Sequence, residues 1–70
     1  MVVERLDKRF GIVAIENGFI DTDQLLDAIK TQILEDLEGA KRRLVGEILQ
    51  EKGYISVDQI DEILKLMGIP

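Results

Sequence analysis

The chain has no cysteine, no histidine and no tryptophan, and its 70 residues include one proline, one tyrosine and two phenylalanines. Without cysteine there is neither a disulfide framework nor a thiolate nucleophile. Without histidine there is neither an imidazole base nor the usual zinc ligand. Long apolar runs are also missing: nothing approaches the about 18 residues needed to cross a bilayer. Met1-Val2-Val3-Glu4-Arg5 does not open like a secretory signal with its apolar core, so the expected location is the cytoplasm. Positive charge is scarce, with nine Lys and Arg against fourteen Asp and Glu and a net charge of −5. That balance opposes counterion-release binding to nucleic acid and docking on anionic lipid, so neither is expected as a partner.

What is present suffices for a folded domain. The apolar fraction of 46% and charged fraction of 33% are those of a globular chain rather than a disordered one. A chain of this size buries only about 60% of the surface its unfolded state exposes, so dimerisation would add needed stability.

The chain also repeats itself. Gly18-Phe19-Ile20-Asp21-Thr22-Asp23-Gln24-Leu25 returns as Gly53-Tyr54-Ile55-Ser56-Val57-Asp58-Gln59-Ile60, an offset of 35 residues that also pairs Gly11 with Gly46 and Ile29 with Leu64. Each copy reads as helix, Gly, two apolar residues, cap, helix, a unit that cannot bury its apolar face alone. Asp21 and Ser56 suit N-caps, with Gln24 and Gln59 placed to complete capping boxes and the pairs Ile20/Leu25 and Ile55/Ile60 placed as hydrophobic staples. Gly18 and Gly53 suit the left-handed residue that closes the preceding helix. The expected fold is all-α: two tandem αα-hairpin repeats, about 6–37 and 40–68, giving four helices packed into one small domain over 1–70.

The first helix is expected to turn Leu6, Phe10, Val13 and Ala14 inward, and the second to carry Leu25, Leu26, Ile29, Ile33, Leu34 and Leu37. Gly39 ends the second helix, or else a kinked helix runs on into Ala40-Lys41-Arg42-Arg43. The third is expected to bury Leu44, Val45, Ile48 and Leu49. The fourth would bury Ile60, Ile63, Leu64 and Met67 before Gly68 and Pro70 stop it.

Few residues carry chemistry. Gly11 and Gly46 lie inside helices, which calls either for a close helix crossing or for a ligand against the backbone. Lys8-Arg9 and Lys41-Arg42-Arg43 precede these glycines, each at the expected start of a helix. There they form a solvated face paired with Glu35, Asp36 and Glu38, or fork onto a phosphate, helped in the third helix by its N-terminal N–H groups. Glu35-Asp36-Glu38 is no metal site, because adjacent helical residues point apart and no loop supplies carbonyls. No catalytic residues and no cofactor are expected, and the chain reads as a non-enzyme.

At Arg9-Phe10-Gly11, Ala14, Gly18, Ile20, Leu25, Ile29 and Gln32 the first repeat resembles the motif R-L-G-x-x-L-x-x-x-G-x-I-x-x-x-x-L-x-x-x-L-x-x-Q. The motif is similar to that of the MshEN-type N-terminal domain of type II secretion and type IV pilus assembly ATPases, which carries two tandem copies. The second repeat matches it at Gly46, Leu49, Gly53, Ile55, Ile60 and Leu64. Some members bind cyclic di-GMP with the paired motifs, so the resemblance implies a ligand set of Arg9, Gly11, Gln32, Arg43 and Gly46. The second copy departs at Leu44, where the motif has Arg, and at Met67, where it has Gln; eleven residues, 33–43, separate Gln32 from Leu44. No Walker-type loop is present, so the chain is not the ATPase itself.

Two functions are therefore expected in competition. One is a non-catalytic interaction domain that meets a protein partner or forms a homodimer through Ile33, Leu34 and Leu37. The other is a cyclic di-GMP sensor. A DNA-binding helix-turn-helix is disfavoured by the acidic balance.

Overall fold

Four helices, α1 (Val2–Glu16), α2 (Thr22–Leu37), α3 (Val45–Glu51) and α4 (Val57–Leu66), make up the computed structural model, which describes residues 2–69 and the side chains from residue 6 to 69. Among the described residues there is no strand.

Local chemistry sets the helix boundaries. At the start of α2 the Gln24 N–H donates to Asp21 Oδ1 at 2.8 Å and the Asp21 N–H donates to Gln24 Oε1 at 3.0 Å. Ser56 and Gln59 make the same reciprocal pair at the start of α4. Each helix closes with the bonds of a Schellman turn. After α1, the Gly18 N–H reaches the Ile15 carbonyl at 3.0 Å and the Phe19 N–H the Ala14 carbonyl at 2.9 Å, with counterparts after α2, α3 and α4. These turns need a left-handed residue, and Gly18 (φ 75°) and Gly53 (φ 81°) supply it without a Cβ penalty. Gly39 likewise ends α2, so the kinked continuation does not form and residues 40–44 link α2 to α3 without regular structure. Pro70 lies outside the described residues.

The principal packings all run between the repeats: α2 on α3, α1 on α3 and α1 on α4. Contacts between the helices joined by each short turn are sparser. Under the 35-residue offset α2 on α3 is the counterpart of α4 on α1, while α1 and α3 are counterparts of each other. The set of packed pairs is therefore the same when the two repeats are exchanged.

The core shows the same symmetry. Phe10, Val13, Ala14, Ile20 and Ala28 are buried, and so are their counterparts Val45, Ile48, Leu49, Ile55 and Ile63; Leu25 completes the cluster. Sizes are complementary across the offset. Ala14 and Ala28 in the first copy answer Leu49 and Ile63 in the second, while Phe10 answers Val45, so the interlocked halves fill space without duplicating bulk. Ile48, Leu49 and Ile63 are fully buried, each contributing about 2 kcal/mol by leaving water. Gly46 makes room for the Phe10 ring: a Cβ there would sit 3.0 Å from it. At Gly11 a Cβ would sit 2.5 Å from Leu25 Cδ1. Both glycines thus admit a neighbouring side chain rather than a second backbone.

Several expected positions differ. Leu44 is not inside the third helix; its extended backbone makes it the N-cap of α3, and it remains 45% exposed. Leu6 is 44% exposed, and Leu26 is also exposed, because α2 buries Leu25, Ala28 and Gln32 instead. Lys8 and Arg9 fall in the middle of α1, which begins at Val2, and Lys41, Arg42 and Arg43 fall in the link rather than on a helix.

Candidate functional site

Leu44 offers α3 no capping side chain, so its first amide needs a partner from elsewhere. Asp7 of α1 supplies it: Oδ1 accepts from the Val45 N–H at 2.7 Å. Oδ2 of the same carboxylate accepts from Gln32 Nε2 at 2.7 Å, and that nitrogen also donates to the Arg43 carbonyl at 2.8 Å. Asp7 and Gln32 are each only 8% exposed, so this node joins α1, α2 and the start of α3 in a region with little water. Among the described residues no buried side-chain N or O atom lacks a partner.

Arg43 extends the ties outward. Its guanidinium grips Glu35 of α2, with Nε to Oε1 at 3.0 Å and Nη2 to Oε2 at 2.5 Å, and Nη1 pairs with Glu51 of α3. The hydrogen bonds from Arg43 hold the Glu35 carboxyl below its ordinary range, and Glu35 first, then Glu51, push the Arg43 pKa further up. At the far end of the seam the Tyr54 hydroxyl donates to Asp27 Oδ2 at 2.8 Å, and Lys52 Nζ lies 3.4 Å from the same oxygen. The Tyr54 bond, then Lys52, lowers the Asp27 pKa, and the tyrosine's own pKa rises in return.

Two concavities flank the α1–α3 crossing. The first, about 260 Å³, is lined by Asp7, Lys8, Leu25, Ile29, Gln32, Arg42 and Val45. Shifted by 35 residues, Leu25, Ile29, Gln32, Arg42 and Val45 become Ile60, Leu64, Met67, Asp7 and Phe10. All five line the second concavity, a groove of about 510 Å³. The two are counterparts that have diverged. Met67 stands in the groove where Gln32 stands in its twin, and Leu6, Leu44 and Val57 form an exposed apolar rim. Glu47 and Gln50 of α3 provide its polar wall.

The five residues implied by the resemblance are not brought together in either concavity. Gly46 lines the groove and Gln32 its twin; Gly11 packs on Leu25, Arg9 is exposed on α1, and Arg43 is held by Glu35 and Glu51. The place expected for a phosphate at the start of α3 holds the Asp7 carboxylate. On α2, Ile33 and Leu34 are about half exposed and Leu37 is 79% exposed. The reading from sequence missed Asp7 and the groove. The signal for Asp7 was a carboxylate on the core-facing stripe of α1, three residues before Phe10 and seven before Ala14, combined with a third helix that lacks a cap of its own.

No protein-family model, curated protein or solved structure matches the chain. No helix among the described residues is long and apolar enough to cross a membrane.

Proposed function

We propose that this chain is a non-catalytic helical interaction domain, acting in the cytoplasm, that associates with a second copy of itself or with another protein through the outer face of α2. The observation that carries this reading is the stripe Leu26, Ile33 and Leu37, flanked by Leu34, which stays exposed although the core is filled without it. Its spacing of seven and four residues places it along one side of the helix, the pattern of a helix that meets another helix. Exposed apolar surface gathered in this way marks an interaction site, whereas singly scattered residues do not.

Light scattering and sedimentation over a concentration series test the self-association. The expected result is a dimer at about 100 µM that Leu37→Asp returns to monomer; an unchanged monomer at that concentration would remove the homodimer. Calorimetry with cyclic di-GMP tests the competing sensor reading, with no heat expected at about 100 µM ligand.

A further inference from the structure

The groove between α1, α3 and α4 has no α2 residue in its lining, and of the tied residues described above only Asp7 reaches it. We infer that it is the docking site for a cationic amphipathic helix of about three turns, contributed by a different protein. This rests on the interaction-domain reading and adds to it a second surface and the chemistry of its occupant.

Shape sets the length. Along α4 and its C-cap the groove is lined by Val57, Ile60, Leu64 and Met67, a span of eleven residues or about 15 Å along the axis. Leu6 and Phe10 of α1 face them across the groove, leaving an apolar trough for side chains spaced at i, i+4 and i+7. Charge sets the sign. The charged side chains that line the groove are Asp7 and Glu47, both acidic. An occupant with lysine or arginine beside its apolar stripe complements those walls, and an acidic one is repelled. Charge also argues against the chain's own exposed stripe as occupant. Helix α2 carries Asp23, Asp27, Glu35 and Asp36 against Lys30, so it lacks the cations that would complement Asp7 and Glu47, and the occupant comes from a different protein.

The test uses a fluorescein-labelled peptide of about three turns, with leucine at i, i+4 and i+7 and lysine elsewhere, titrated with the full chain and followed by anisotropy. Binding is expected near 10 µM, with a peptide carrying glutamate in place of lysine at least about tenfold weaker. Leu6→Lys and Val57→Lys alter positions that are already half exposed, so the helical circular dichroism should persist while binding falls about tenfold. Ile33→Lys and Leu37→Lys should leave binding unchanged. Absent binding, equal binding of the glutamate peptide, or displacement of the lysine peptide by decanoate, which would make the occupant an acyl chain, each overturns the inference. If the α2 variants weaken binding and the groove variants do not, the groove assignment fails while the interaction-domain reading stands. If neither peptide binds while Leu37→Asp still disrupts a dimer, the groove assignment alone fails; if the chain also stays monomeric, the homodimer fails with it.

Discussion

The seam between α2 and α3 and the seam between α4 and α1 are counterparts across the 35-residue offset, yet they are held differently. The first is crossed at one end by the Asp27–Tyr54–Lys52 cluster and at the other by Glu35–Arg43–Glu51, with the Asp7–Gln32 node between. The second, among the described residues, has none of these ties, and an apolar groove runs along it. The difference follows from single substitutions across the offset. Phe19 stands opposite Tyr54 and lacks its hydroxyl, Met67 stands opposite Gln32 and lacks its amide, and Arg42 stands opposite Asp7 with the reverse charge. One copy of the contact has become a fastening. The other keeps apolar surface that no internal partner covers, which is the condition for recognising an external one.

Removing the fastening should have the largest effect. Asp7→Ala strips acceptors from the buried Gln32 amide and from the Val45 N–H, and the expected loss is about 3 kcal/mol in urea unfolding at neutral pH. A loss below about 0.5 kcal/mol would show that water replaces the carboxylate freely. Exchanging counterpart residues sharpens the comparison. Gln32→Met leaves Asp7 Oδ2 without its donor and should cost about 2 kcal/mol, whereas Met67→Gln in the groove should change stability by less than about 0.5 kcal/mol. Equal costs would mean that the two seams are energetically alike.

The smallest effect is expected at the end of the fastened seam and is read by titration. Asp27 is lowered in the folded state, so the stability it contributes is present above its unfolded pKa and is lost as pH falls through the lower folded value. Tyr54→Phe removes the main cause. The Asp27 carboxyl should then titrate closer to its ordinary range in an NMR pH series, and the acid limb of stability should shallow. Tyr54 has the opposite sign: its pKa is raised, so its contribution holds below the unfolded value and is lost as pH rises through the folded one. An unmoved Asp27 titration in the variant would show that Lys52 alone sets it.

How much of this was legible in the sequence depends on the range over which each interaction acts. Capping boxes and glycine turns are made within a few residues, so Asp21/Gln24, Ser56/Gln59, Gly18 and Gly53 could be read directly. Four helices and one domain followed from the repeat, because neither half can cover its own apolar face. The interlocking was not legible: a short turn says that two helices adjoin in sequence, while the size complementarity of Ala14 with Leu49 and of Ala28 with Ile63 appears only once the halves are superposed. Asp7 was hidden for the same reason, since its partners lie 25 and 38 residues away. The α2 stripe was visible as surplus periodic hydrophobicity. The groove was not, because Leu6 and Leu44 looked like core residues.

The most direct test of this division is native-state amide hydrogen exchange resolved by residue in low denaturant. The predicted result is that amides of α4, including Ile63 and Leu64, exchange through a partial opening of lower free energy, while Ala28, Gln32, Ile48 and Leu49 on the fastened side exchange only through global unfolding. A single common free energy for all these amides, or release of α2 and α3 before α4, would contradict it.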